Sequence, residues 1–208
     1  MNRKPRKIDR LGIRKVQQYS AAMLIIALIL SFPNTALGQN SEVELKFSPP
    51  ESPEFTRHVL PIISKLGCNS GSCHGALAGK GGFRLSLNGY NPKGDHFTIT
   101  QQSLGRRVEI SDPGRSLILT KPTGALPHKG GLKLQTDSIE YQILADWIAE
   151  GAKGPRATDA QLLKLEVKPK KIVMNPEGTA NVSVVAHYSD GTKENVTRWA
   201  KYNSSNTP

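Results

Sequence analysis

Apolar positions along this chain change their spacing several times, and each change predicts a different element. Ala21 to Phe32 is a run of twelve residues, apolar but for Ser31. That is short for a bilayer-spanning helix, which takes about 20 residues. Phe55, Val59, Ile62 and Ile63 follow at helical spacing. Ser52-Pro53-Glu54 precedes them with a capping Ser, Pro at the first helical position and an early acid. Pro61 should kink this helix, and Gly67 should end it. Phe83, Leu85 and Leu87 then alternate with Arg84 and Ser86, which predicts a short strand, and Val108 and Ile110 suggest a second. Turns at Asn88-Gly89 and Asn91 to Asp95 lie between them. This insertion of roughly 30 residues reads as a small hairpin or loop cover. Thr136-Asp137-Ser138 opens a second helix, with a stripe of Ile139, Ile143, Leu144, Trp147 and Ile148 and a stop at Gly151.

Beyond Gly151-Ala152-Lys153-Gly154-Pro155 the period becomes two. Leu163, Leu165 and Val167 alternate, then Ile172 and Met174, then Val182, Val184 and Ala186. Asn175 to Gly178 is a turn, and Ser189-Asp190-Gly191-Thr192 is a hairpin turn. Val196, Trp199 and Tyr202 continue the pattern. After a boundary at 153–161 this predicts an incomplete all-β sandwich, with some other small antiparallel sheet as the alternative. The pattern is still running at Thr207-Pro208, so a truncated copy of a longer protein is expected.

The front of the chain reads as a secretion signal over 1–38. Seven basic residues precede the apolar run, and Ala36-Leu37-Gly38 offers small residues for cleavage. Its removal changes the charge. The whole chain has 28 Lys and Arg against 17 Asp and Glu; 7 and 1 of these lie in 1–38, leaving 21 against 16 and a net +5. A mildly basic surface of that size requires no nucleic acid. The remaining roughly 170 residues suffice for one ordinary domain or two small ones.

The candidate chemistry sits in Cys68-Asn69-Ser70-Gly71-Ser72-Cys73-His74. It holds both cysteines of the chain, with a histidine directly after the second. Cys-x-x-Cys-His is the attachment signature of c-type haem. The thiols add across the vinyl groups, and the histidine ligates the iron. Here four residues separate the cysteines, and Gly71 with small neighbours would let the wider loop bulge. Two other readings stand beside it. In an exported protein the cysteines could form a disulfide. A zinc site would need a fourth ligand, and no further Cys exists. Gly75 to Gly81 imitates a phosphate loop, but it has three residues between glycines and no Ser or Thr after Lys80.

The run Leu66-Gly67-Cys68 through His74-Gly75-Ala76, then Gly79-Lys80-Gly81-Gly82-Phe83-Arg84-Leu85, resembles the planctomycete-type cytochrome c-like domain family. Gly105-Arg106-Arg107-Val108, Asp112-Pro113, Lys121-Pro122-Thr123-Gly124, Leu126 to Gly131 and Trp147 to Ala152 carry the likeness on, over about residues 54–152. The resemblance implies that Cys68 and Cys73 attach one haem c covalently and that His74 is its proximal ligand. Of Met1, Met23 and Met174, none falls in this region. Where relatives often carry a Met-Pro-Pro-like loop, this chain has Leu126-Pro127-His128. His128 is therefore the natural sixth ligand, with His96 as the alternative; His58 reads as a packing or surface histidine. Residues 162–208 resemble the first half of a bacterial immunoglobulin-like domain of group 2, through Tyr188 to Thr192 and Asn203 to Asn206.

The expected fold class is thus mixed and multi-domain: a mainly α cytochrome c-like domain with a small β insertion, then an incomplete all-β Ig-like sandwich. The expected order is signal peptide 1–38, linker 39–51, haem domain 52–152, linker 153–161 and partial Ig-like domain 162–208. The expected function is an exported electron carrier of the periplasm or surface of a bacterium, more carrier than enzyme. Its partners would be a redox protein the sequence does not name and cell-envelope components met through the Ig-like part, with no membrane span in the mature chain. The rival is a disulfide-stabilised envelope module without haem. A haem enzyme with open iron is the third reading, though the sequence does not place Arg84, Arg106, Arg107 and His128 as a distal acid–base set.

Overall fold

A proline shapes the first helix. Pro61 has no N–H to give, and its ring crowds the carbonyl of the turn before it. The chain answers by widening that turn. Phe55–Val59 is a π turn, in which Val59 N–H donates to Glu54 O and Leu60 N–H to Phe55 O. Ordinary winding follows in α1, Leu60–Lys65. The expected kink takes this form. Phe55, Val59, Ile62 and Ile63 are all buried, so the predicted stripe is the packed face.

These elements belong to a computed structural model that describes residues 45–175 and 177–204. The expected signal peptide lies outside the described residues, as do Met1, Met23 and Thr207-Pro208. The described residues form one compact unit.

The insertion is helical rather than β. The Asn91 side chain accepts from Gly94 N–H, Pro92 takes the first helical position and Asp95 the first turn, so α2 runs Pro92–Thr100. Those residues fit a turn and a helix start equally well. Asp95 is buried and accepts from both Ser86 N–H and Ser86 Oγ at 2.6 Å, pinning α2 to the loop before it. The alternating Phe83-to-Leu87 segment forms only an isolated bridge, Lys80 to Phe83. Val108 and Ile110 are in no strand. A short α3, Leu117–Thr120, precedes the loop of His128. The closing helix α4, Ile139–Ala149, is capped as expected by Ser138, which accepts from Tyr141 N–H, and it buries Ile143, Leu144, Trp147 and Ile148.

Three strands follow: β1 Leu162–Lys168, β2 Ser183–Tyr188 and β3 Lys193–Asn195. Their order is β1-β2-β3, with both pairings antiparallel; Leu165 faces Ala186, and Val185 faces Asn195. The Ig-like sandwich expected here does not form. Such a sandwich needs two sheets face to face, whereas this sheet is open and three-stranded. On β2 one side, Val184, Ala186 and Tyr188, is buried. It joins a single apolar cluster with Phe55, Ile62 and Trp147 rather than a second sheet. On the edge strand β1, Leu163, Leu165 and Val167 remain exposed. Ile172 and Met174 lie outside any strand. The fold is a small mixed α/β domain with one open three-stranded sheet.

Polar clamps join sheet to helices. The Arg57 guanidinium lies 3.9 Å over the Tyr188 ring and 2.8 Å from the Glu194 carboxylate. Arg198 makes a two-pronged bond to Glu140 at 2.7 and 2.9 Å. Phe47 meets Trp199 edge-on at 5.1 Å between ring centres.

Candidate functional site

The end of α1 aims the first cysteine. Gly67, at φ +77°, makes a left-handed helix stop. Gly67 N–H donates to Ser64 O and Cys68 N–H to Ile63 O, the paired bonds of a Schellman ending. The four-residue spacer then folds on itself. Cys73 N–H and Gly75 N–H both donate to Ser70 O, and His74 N–H donates back to Cys68 O at 2.9 Å. The wide spacer is thereby taken up in a closed turn, and the second thiol and its histidine return to the first. Asn69, fully buried, donates through Nδ2 to Ser64 Oγ at 2.8 Å. Gly75 is required by close approach: a Cβ there would lie 2.7 Å from the Asn69 carbonyl carbon and 2.9 Å from Ser70 O.

His74 is half-buried and held at both ends. Its backbone carbonyl accepts from Leu85 N–H at 2.8 Å. Its Nδ1 lies 3.0 Å from Phe83 O. A carbonyl only accepts, so Nδ1 carries the proton and the lone pair is on Nε2. The Phe83 ring leans on the imidazole at 4.6 Å between centres. Burial pushes the His74 pKa down from 6.5, and nearby His128 adds to the effect, against hydrogen bonds to the Phe83 and Lys80 main chain. A neutral imidazole with an available Nε2 is the form that ligates metals.

His128 repeats the arrangement from the other side. Leu126 N–H donates to Thr120 O at the end of α3, and Lys121 Nζ holds Pro127 O at 2.9 Å. Gly131 N–H donates to His128 O, and His128 Nδ1 donates to Gly131 O at 3.0 Å. A Cβ at Gly130 would sit 2.8 Å from His128 Cε1, so the backbone wraps the ring closely. The two imidazoles lie 6.4 Å apart, centre to centre, with planes 13° from parallel.

A ring nitrogen binds a metal along a lone pair in the ring plane, at roughly 2.0 Å. The two rings here are stacked, so their 6.4 Å separation places both histidines at one spot in the fold without aiming both Nε2 atoms at a common point. Among the described residues no group of three or more His, Cys, Asp and Glu comes together to hold an ion. A macrocycle such as haem supplies most of the iron's ligands itself and would ask only the remaining ones of the chain. Leu77 (83 % exposed), Leu126 and Leu132 (58 %) lie within four residues of one or the other histidine, apolar surface that a porphyrin would cover.

Cys68 and Cys73 are free thiols. Burial, with the neighbouring Cys73 adding to it, pushes the Cys68 thiol up to about 11. It is therefore protonated at neutral pH.

The remaining histidines are engaged elsewhere. His96 Nε2 bonds Ala152 O at 2.8 Å, and its ring packs edge-on against Phe55 and Trp147. His58 Nδ1 accepts from Glu54 N–H at 2.9 Å, and its Nε2 lies 3.5 Å from Glu194. The sequence raises Arg107 only within a distal set it does not place, and it gives no sign of the Phe83 carbonyl. A backbone acceptor has no residue signature, and Arg107 stands beside an equally basic Arg106.

No family model, no curated protein and no solved structure matches the chain. Among the described residues no helix is long and apolar enough to cross a membrane.

Proposed function

We propose that this protein is an exported c-type cytochrome module that carries single electrons. Cys68 and Cys73 would hold one haem c covalently through their sulfurs, and His74 and His128 would hold its iron. When bound, the haem supplies a ferric/ferrous couple that accepts one electron from a reduced redox protein and passes it to an oxidised one, with no group transferred. The chain's own part is orientation. The Phe83 and Gly131 carbonyls fix both imidazoles as Nδ1–H tautomers, which raises their basicity at Nε2. The periplasm or surface of a bacterium is the place proposed for it, because c-type attachment and the expected signal both belong to export.

The observation that carries this reading is the near-parallel pair His74 and His128, 6.4 Å apart, beside two free thiols. The experiment is intact mass after export in cells with haem c maturation. A gain of one haem that survives acid–acetone extraction, and is lost in the Cys68→Ala/Cys73→Ala double variant, is expected. A loss of two hydrogens with no Soret band would instead establish the disulfide module.

A further inference from the structure

The turn that offers His74 its acceptor is a tight one, closed across two glycines by Lys80 N–H to Phe83 O at 3.0 Å and Phe83 N–H to Lys80 O at 3.1 Å. Gly81 and Gly82 both have left-handed φ, +59° and +71°, and a Cβ on either would meet nothing within 4 Å. Neighbouring side chains therefore do not confine them, and glycine pairs lose much entropy when fixed. The Phe83 carbonyl follows directly.

Arg107 reaches this turn from another part of the chain. It is 5 % exposed, and its hydrogen-bond partners include no carboxylate. Nη1 donates to Thr98 O at 2.8 Å and Gln102 O at 3.0 Å, at the C-terminal end of α2. Nη2 donates to Gly82 O at 3.0 Å. The guanidinium lies 4.8 Å from the centre of the Phe83 ring. A cation that only capped α2 would favour those last carbonyls through the helix dipole. It would need neither Gly82 nor Phe83, and a lysine at the surface would serve. Burying a guanidinium without a counter-ion costs solvation, and the planar fork is what lets one side chain bridge both segments.

We infer that Arg107 is a positioning residue for His74. By tying Gly82 and Phe83 to the end of α2, it fixes the Phe83 carbonyl as acceptor for His74 Nδ1–H and so keeps Nε2 as the ligating atom. Its importance for iron rests on the haem reading; its effect on the His74 tautomer does not. In the haem-loaded protein, loosening this bond makes the imidazole a weaker donor to ferric iron and moves the reduction potential to more positive values.

The test is nitrogen-15 NMR of the His74 ring in the full-length, haem-free chain at pH 8. Wild type should show Nδ1–H as the dominant tautomer. Arg107→Gln should keep the circular dichroism spectrum but lower the Nδ1–H to Nε2–H ratio by roughly fivefold, the worth of one ordinary hydrogen bond. Should that variant not fold, Arg107→Lys keeps a charge at the end of α2 without the fork and should shift the ratio in the same direction. A wild-type ring protonated at Nε2, or a folded variant with the wild-type ratio, overturns the inference. A wild-type chain that takes up no haem during maturation overturns the haem reading instead, and the tautomer ratio still decides the role of Arg107.

Discussion

The imidazoles of His74 and His128 face each other across 6.4 Å with planes 13° apart, though 54 positions separate them in the chain. Each gives its Nδ1–H to a backbone carbonyl, Phe83 O and Gly131 O, at 3.0 Å. Each ring is thus held by main chain, an acceptor no side-chain replacement deletes. Two independent loops, one after α1 and one after α3, bring the two rings to the same gap.

Removing His128 should open that gap without disturbing attachment. His128→Ala should retain covalent haem but give a high-spin ferric spectrum, and it should gain affinity for added imidazole and carbon monoxide. His128→Met should raise the potential if the loop can place the sulfur, since Met/His ligation raises it. Absorption and electron paramagnetic resonance spectra decide. A low-spin, six-coordinate His128→Ala protein would move the sixth ligand elsewhere, with His96 first in line.

Two glycines in the cysteine loop should behave in opposite ways. A methyl at Gly75 would lie 2.7 Å from the Asn69 carbonyl carbon and 2.9 Å from Ser70 O, both main chain. At Gly71 the nearest atom is Leu87 Cδ1 at 3.9 Å, an ordinary contact, and φ is not left-handed. Gly75→Ala should therefore cost about 3 kcal/mol or more, and Gly71→Ala about 0.5 kcal/mol or less. Urea unfolding of the haem-free chain measures both. Equal losses would mean that the turn is not closed as described.

The sequence pattern made some of this legible, for physical reasons. The stripes of α1 and α4 could be read because each helix buries one face, and Ser138 could be read because a cap is a local bond. Asn91 to Asp95 misled because Asn, Pro and Asp favour turns and helix starts by the same hydrogen bonds and the same φ. The Phe83-to-Leu87 alternation misled differently. Leu85 N–H finds His74 O rather than a partner strand, and a period of two records side-chain facing without specifying a pairing partner. The sandwich failed for the same reason. Alternation marked the buried side of β2 but said nothing about what covers it. At the site, Cys68, Cys73 and His74 announce themselves because they are contiguous. The Phe83 carbonyl and the Arg107 fork do not, because one is main chain and the other acts across 25 positions.

Acid should weaken the haem-free chain through His74. Burial, with His128 nearby, lowers its pKa in the fold below the ordinary 6.5 that an unfolded chain would show. Above 6.5 both states are neutral at this ring, and its contribution to stability is fully present. As pH falls below 6.5 the unfolded chain takes up the proton first. The unfolded state then binds more protons than the native one, so stability falls with pH until the folded pKa is passed. One proton sets the limit, about 1.4 kcal/mol per pH unit. Glu194 adds a separate loss at lower pH. Burial alone would raise its pKa, but hydrogen bonds from His58 and Arg57 hold it below 4.5, so its contribution is present above 4.5 and lost beneath. Urea midpoints measured between pH 8 and 5 keep the two apart. His74→Asn should flatten the curve in that range and leave the loss below pH 4.5 in place. A variant curve as steep as wild type between pH 6.5 and 5 would show that His74 is not the group that titrates.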